Sequence, residues 1–309
     1  MIWTVGLNLS VDRTLEVERF VYGGMNRVER TLEDAGGKAV NVAVAAAELG
    51  ERASVTGFLR KDSREIFERR LRKAGVGMDF VEIEGRARVN VKLMDRQGGQ
   101  VSELNERGEP VSEDQLAALR EKLRVLLREG DILVLSGALP PSCPAGFYAS
   151  LMREARSRGC LCALDAEGAA FQAGVAEKPF LIKPNRYELE MAAGRELKGL
   201  EEVKRAAMEF TRGGVGVACV SLGDQGALIA GAREAFYAQA VKVQVRSTVG
   251  AGDTMLAAVV SGLSRGEGLD EALRMGVACA TSCVMSEGTR LVDGKTYRQI
   301  LAKTNVQRV

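Results

Sequence analysis

Ser247-Thr-Val-Gly-Ala-Gly-Asp253-Thr-Met-Leu-Ala-Ala258 is the stretch whose reading decides the fold. Ahead of it, Val241, Val243 and Val245 alternate with Lys242, Gln244 and Arg246, the two-residue period of a half-buried strand; behind it, small and apolar residues recur at helical spacing as far as Leu263. The stretch therefore reads as a glycine turn leading from a strand into a helix. Gly250 and Gly252 allow backbone angles that other residues resist, so the amides of residues 250 to 253 can converge at the helix N-terminus. Converging N–H donors backed by a helix dipole make an anion site. Asp253 would compete with a resting anion for those donors. Its presence is explained if it takes a proton from a nucleophile while the amides hold the charge of a group in transfer. An ordinary helix cap at Asp253 or Thr254 is the competing reading, and these residues alone leave both open.

Two familiar glycine motifs are excluded. A dinucleotide fingerprint needs Gly or Ala three residues after its second glycine, where this chain has Met255. A phosphate loop of the Gly-x4-Gly-Lys-Ser/Thr kind fails at its nearest candidate, Gly288 to Gly294-Lys295-Thr296, which has five intervening residues.

The chain has 309 residues, 46% of them hydrophobic, enough for a sizeable core. A formal net charge of +2 gives no bulk affinity for nucleic acid or membranes, and no apolar run approaches membrane-spanning length. Met1-Ile-Trp-Thr-Val-Gly-Leu-Asn8 lacks a basic leader and is expected to be a first strand. Six cysteines without a secretion signal suggest reduced thiols in the cytoplasm. With no histidine in the chain, Cys160, Cys162, Cys279 and Cys283 are expected to pack in the core and not to bind zinc.

Taken in order, strands alternate with helices. Ile2 to Leu7 is a strand, and Arg13 to Asp34, broken at Gly23-Gly24, reads as a hairpin. Gly36-Gly37-Lys38 opens a small-residue helix from Ala39 to Leu49, stopped by Gly50. A strand (Ala53 to Leu59) and a charged helix (Ser63 to Ala74) follow. Arg88 to Met94, a turn at Arg96 to Gly99 and Val101 to Leu104 form a second hairpin, which could join the first in a small separate sheet. Ser112-Glu-Asp-Gln115 is a capping box for a helix to about Arg128. Strands are then expected at Ile132 to Leu135, Leu161 to Leu164, Phe180 to Ile182 and Val217 to Ser221. Helices are expected at Ala145 to Ser157, Arg186 to Ala193 and Val203 to Arg212. Runs such as Ile-Leu-Val-Leu belong to strands covered on both faces, so this is an α/β chain with a mostly parallel sheet.

Chemistry in such sheets gathers beyond the strand C-termini. There the chain has Asp12, Ser136-Gly137, Asp165, Lys183-Pro-Asn185, Ser221-Leu-Gly223-Asp-Gln-Gly226 and Gly250 to Asp253. Lys183, Asn185 and Glu188 together suit a nucleotide-bound Mg²⁺ held through water. Asn185 as N-cap with Glu188 three residues on is equally a capping box.

Gly36-Gly37-Lys38-Ala39-Val40-Asn41-Val42-Ala43 and Ser247-Thr-Val-Gly-Ala-Gly-Asp253-Thr resemble the two signatures of the ribokinase-like PfkB carbohydrate kinases, and the resemblance covers nearly the whole chain. Asn26-Arg27-Val28, Arg88-Val-Asn-Val-Lys92, Glu103-Leu-Asn105, Ser136-Gly-Ala-Leu-Pro140, Ile182 to Leu189, Val220 to Ala227 and Gly288-Thr-Arg-Leu291 are similar to the subgroup of 1-phosphofructokinases and tagatose-6-phosphate kinases. Ala39, Arg107, Ala138 and Asp165-Ala-Glu-Gly168 depart from the subgroup pattern.

The resemblance implies one ribokinase-like, Rossmann-like kinase domain over 1–309, with a β-sheet lid from about 13–34 and 86–105 that in relatives often clasps a homodimer. It implies ATP-dependent phosphorylation of a ketohexose phosphate, fructose 1-phosphate first, with tagatose 6-phosphate and fructose 6-phosphate as alternatives. Asp253 is then the base, and Gly250, Ala251 and Gly252 form the anion hole. Asp12, Gly37, Asn41 and Ser136 hold the sugar, and Arg27, Lys38 and Arg88 its phosphate. Lys183, Asn185, Ser221, Leu222, Gly223, Asp224, Gln225, Gly226 and Gly252 serve ATP, and Asn185 and Glu188 serve Mg²⁺ through water. For Arg27 and Arg88, solvated charge on strand edges is the plainer reading. A catalytically silent sensor and a nicotinamide oxidoreductase are the other classes, the first opposed by Asp253 and the second by the absent fingerprint.

Overall fold

The structure, a computed structural model, describes residues 1–286 and 291–309. Its first strand, β1 (Ile2–Gly6), is buried along its whole length. The chain then leaves the main sheet: β2 (Ser10–Val17) and β3 (Arg30–Gly36) form an antiparallel pair. It returns through α1 (Lys38–Glu48), whose alanines and valines are buried from Ala39 to Ala46. Gly50 stops that helix with φ +91°, the left-handed conformation glycine adopts without penalty. β4 (Ala53–Arg60), α2 (Arg64–Lys73), β5 (Gly77–Met78) and β6 (Val81–Ile83) follow.

β7 (Arg88–Asp95) and β8 (Gln100–Asn105) make the second hairpin, and β7 pairs parallel with β2, which gives a separate four-stranded sheet in the order β3-β2-β7-β8. α3 (Glu113–Leu126) opens on the expected reciprocal cap, with the Gln115 amide donating to Ser112 Oγ at 3.2 Å and the Ser112 amide to Gln115 Oε1 at 3.0 Å. A regular alternation follows: β9 (Ile132–Ser136), α4 (Phe147–Arg156), β10 (Leu161–Asp165), α5 (Gly168–Ala176), β11 (Leu181–Ile182), α6 (Arg186–Ala193), α7 (Gly199–Arg212) and β12 (Val217–Ser221). The chain closes with β13 (Ala227–Ala230), β14 (Ala235–Ala238), α8 (Ala251–Ser264), α9 (Leu269–Val284), α10 (Gly294–Leu301) and β15 (Val306–Arg308).

The main sheet runs β15-β14-β13-β12-β11-β10-β9-β1-β4-β5, with β6 also on β4. It is parallel from β12 to β5, and the three strands at the other edge are antiparallel. Strand alternation divides the core between its faces: Ile132 and Val134 pack with α1, α8 and α9, while Leu133 and Leu135 pack with α3, α4 and α7. The cysteines are free thiols, and all but the half-buried Cys143 are buried. Among the described residues no helix is long and apolar enough to cross a membrane.

One expected strand does not form. Val241 and Val243 are half-buried and Lys242 and Gln244 exposed, as the alternation requires, yet 239–246 joins no sheet. Strand pairing needs a free edge, and β15 already occupies the edge of β14. The segment is tied instead to the end of α9, where the Arg246 and Ser247 amides donate to the Val284 carbonyl at 2.8 and 3.3 Å. Residues Gly288, Thr289 and Arg290 of the C-terminal motif lie outside the described residues.

Candidate active site

Gly250 is the N-cap of α8 and takes φ +80°. A left-handed cap turns the chain sharply and presents the amides of the first turn outward, with no acceptors inside the helix. The Ala251 amide leans on the Thr248 carbonyl at 3.4 Å, long enough for a better acceptor to displace it. An added Cβ on Gly252 would lie 3.4 Å from Lys183 Nζ, so an ammonium group sits against the turn. That lysine follows β11 and is only 5% exposed.

Asp253, in the first turn of α8, does not cap the helix. It is 7% exposed and accepts from Asn41 Nδ2 at 2.8 Å, while the Thr254 hydroxyl donates back to the Ala251 carbonyl. Burial, with the charge of Asp165 beside it, pushes Asp253 up to about 6, against the Asn41 hydrogen bond and the charges of Lys38 and Lys183. A carboxylate poised there is mostly ionised at neutral pH yet basic enough to accept a proton.

Asp165 ends β10 and is buried. Lys38 Nζ lies 3.3 Å and Lys183 Nζ 3.6 Å from its Oδ1, and Ser136 Oγ donates to its Oδ2 at 3.2 Å. Burial opposes its charge, but Lys183 and Lys38 outweigh that and hold the carboxyl below its ordinary range. Lys38 also loses solvation, yet Asp165, Asp253 and Glu188 together keep it more basic than usual. Two carboxylates and two ammonium groups therefore meet under the mouth of the α8 turn. The sequence shows Asp165 as a strand-end acid without pointing to its partners. Its neighbours in space, Lys38 and Lys183, are 127 and 18 residues away in the chain.

Beside this cluster a cleft of about 320 Å³ opens between the two sheets, lined by Gly37, Lys38, Arg88, Asn90, Asn105 and Ser136 among others. Asp12, on β2, accepts from Ser10 Oγ at 2.9 Å and Asn90 Nδ2 at 3.0 Å, and Lys92 Nζ lies 3.5 Å from it. A Cβ on Gly36 would fall 2.3 Å from Asp12 Oδ1, so a side chain there would push that carboxylate from its present position. Ser10, Asn90 and Lys92 join the residues to which the sequence gives a role in the site. Asn90 and Lys92 share a strand face with Arg88, which was the available signal. Asn41 spends its amide oxygen on Arg70 and one N–H on Asp253, leaving one N–H for a further acceptor. Arg88 donates through Nε to the Asn8 carbonyl at 2.9 Å and through an NH group to the Glu106 carbonyl at 3.2 Å; burial lowers its basicity.

Arg27 is not brought to this cleft. It lies exposed in the loop between β2 and β3, at the end of the small sheet opposite Ser10. Seven residue steps along β2 separate the two ends, roughly 20 Å. A sequence cannot show which end of a hairpin faces the site.

After β11, Asn185 and Glu188 form a complete capping box for α6: the Glu188 amide donates to Asn185 Oδ1 and the Asn185 amide to Glu188 Oε2, each at 2.8 Å. The second Glu188 oxygen lies outside that box, and the carboxylate charge is felt at Lys38. Asn185 bridges to Ser221, which brings the Ser221 to Gly226 loop alongside. The amides of Leu222, Gln225 and Gly226 bond within that loop, and Gly223, Asp224 and Gln225 are exposed. Gly226, at φ +99°, is needed for packing: a Cβ would meet the Ala238 carbonyl at 2.0 Å.

The model of the pfkB family carbohydrate kinases matches residues 2–294. A 1-phosphofructokinase of Rhodobacter capsulatus is 37% identical over 291 residues, 94% of this chain and 92% of the relative. One from Bacillus subtilis is 32% identical over the full length of both. The solved structure of phosphofructokinase-2 from Escherichia coli in complex with fructose-6-phosphate superposes with a TM-score of 0.91 at 29% identity, covering 98% of each chain.

Proposed function

The chain belongs to the pfkB family of carbohydrate kinases, and on that premise we propose that it transfers the γ-phosphoryl group of ATP to the 6-hydroxyl of fructose 1-phosphate, as a 1-phosphofructokinase. The observation that carries the reading is Asp253: a buried carboxylate with a raised pKa, placed in a glycine turn at a helix N-terminus with an ammonium group behind it. Asp253 takes the proton of the acceptor hydroxyl as its oxygen bonds to the γ-phosphorus. The amides of Gly250, Ala251 and Gly252, with Lys183 behind them, carry the charge of the phosphoryl oxygens as the bond to ADP breaks. In a loose transition state such positioning supplies most of the catalysis.

Asp12, Gly37, Ser136 and the remaining Asn41 N–H hold the sugar, and Arg88 with Lys38 its phosphate. The Ser221 to Gly226 loop receives the nucleotide. Mg²⁺ bound with ATP would spread the phosphate charge. Glu188, through its second oxygen, and Asn185 offer the hard oxygen donors such an ion takes, through water. We read 1–309 as one cytoplasmic kinase domain with its lid at 13–34 and 86–105. The lid pairs with that of a second copy, a reading supported by the exposed Tyr22, Met25, Val101 and Leu104. Any contact of Arg27 with substrate requires that second copy.

The solved relative bound to fructose-6-phosphate favours the 6-phosphate as second reading; tagatose 6-phosphate is the third. The test is kcat/KM for the three phosphosugars and free fructose on wild type and Arg88→Ala. Loss of a charge-assisted contact of about 1.5–3 kcal/mol should raise KM for the phosphosugar roughly ten- to hundredfold and leave any activity on fructose unchanged. A preference for free fructose, or equal losses on both kinds of sugar, overturns the phosphate clamp.

A further inference from the structure

Arg70, on α2, belongs to neither signature of the chain, and its guanidinium lies between three elements. Its side chain is only 10% exposed. One NH group donates to Asn41 Oδ1 at 2.9 Å, another to the Ala35 carbonyl, and Nε lies 3.8 Å from Asp34 Oδ2 at the root of β3. Asn41 in turn donates to Asp253 at 2.8 Å.

The chemistry of these groups fixes the orientation of the middle one. A guanidinium can only donate, so the Asn41 oxygen must face it, and the NH₂ must face Asp253. Without Arg70 the amide could turn over. Its oxygen would then repel an ionised Asp253 but accept a hydrogen bond from a protonated one, stabilising the form that cannot act as a base.

We infer that Arg70 is a positioning residue for phosphoryl transfer: it locks the Asn41 amide with its N–H toward Asp253, which keeps Asp253 ionised and aimed. The inference rests on Asp253 being the base. Among the described residues, the other titratable groups that face Asp253 are Asp165 from β10, Lys38 from α1, Lys183 after β11 and Cys283 from α9, and none of them contacts Arg70.

The experiment is the pH profile of kcat from pH 5 to 9 for wild type, Arg70→Met, Arg70→Lys, Asn41→Ala, the Arg70→Met/Asn41→Ala double variant and Asp253→Asn. Arg70→Met should lower kcat at pH 7 by roughly tenfold or more. It should also move the acid limb up by about one pH unit and leave KM for ATP within about twofold. Arg70→Lys, which keeps a cation opposite Asp34 and one donor, should fall between; it carries the test alone if Arg70→Met does not fold. In the Asn41→Ala background the Arg70 change should add nothing, because the coupling runs through that amide. An unshifted acid limb in Arg70→Met or Arg70→Lys, or the same shift with Asn41 already removed, overturns the inference. A still-active Asp253→Asn would instead overturn the base itself.

Discussion

Asp253→Asn should make the protein more stable while nearly abolishing its activity. The folded carboxyl is raised from 3.8 to about 6, so at pH 8 the folded state holds a charge that burial disfavours. At about 1.4 kcal/mol per pH unit, the shift of about two units amounts to about 3 kcal/mol of destabilisation. An asparagine removes that charge and still offers an oxygen to Asn41 Nδ2. For 309 residues, at about 2.1 cal/mol/K each, 3 kcal/mol corresponds to a rise in Tm of about 5 °C. The sign reverses with proton binding. Because the folded pKa lies above the unfolded one, wild type takes up its proton first in the folded state and gains stability as pH falls from about 7 to 4. The advantage of the variant should therefore shrink toward zero at pH 4. Calorimetry at pH 8, 6 and 4, paired with kcat, measures both effects. kcat should fall roughly 10²- to 10⁴-fold, the scale of general base catalysis. A variant that melts below wild type at pH 8, or a difference independent of pH, would show that the carboxylate is not held against its burial. Retention of more than about a tenth of kcat would show that it is not the base.

Gly36→Ala should weaken sugar binding and spare ATP, since its Cβ would displace the Asp12 carboxylate from Ser10 and Asn90; KM for the phosphosugar is expected to rise roughly tenfold or more, and an unchanged value would remove Asp12 from the sugar site. Glu188→Gln should raise the Mg²⁺ concentration needed for half-maximal rate with sugar KM unaltered, whereas an identical Mg²⁺ titration would leave Glu188 with its capping role alone. If the proposed pairing of copies holds, Leu104→Asp, at a position 61% exposed on the outer strand of the small sheet, should lower the mass to that of a monomer in sedimentation velocity; an unchanged mass would place any interface elsewhere.

Local pattern carried much of the fold. The capping box at Ser112, the glycine stop at Gly50, the covered strands at Ile132 and Val217 and the glycine-capped helix beginning at Ala251 are each written within a few neighbouring residues. Those features depend on backbone propensity and on the two periods of side-chain burial, which a sequence displays directly. The acid of the glycine turn was legible for the same reason: Asp253 is an ionisable group inside a short motif whose backbone chemistry is known.

What the tertiary structure decided were matters of partner and direction. Val241 to Arg246 has the alternation of a strand but lies beside an edge already filled by residues 306–308. Whether Asp253 capped its helix or faced a site turned on Asn41, 212 residues away. Asp165 became the meeting point of Lys38 and Lys183 because three parallel or adjacent elements end at the same rim. Arg27 stands beside motif residues in the sequence, but the length of β2 carries it to the far end of the small sheet. Arg70 left no signal at all, since a charged residue on a charged helix is the expected solvent face until the fold buries it against Asn41. A sequence specifies which groups are present and which local shapes they favour. Charge pairing, desolvation and the raised pKa of a buried carboxyl depend on distances through space, and those exist only once the chain has folded.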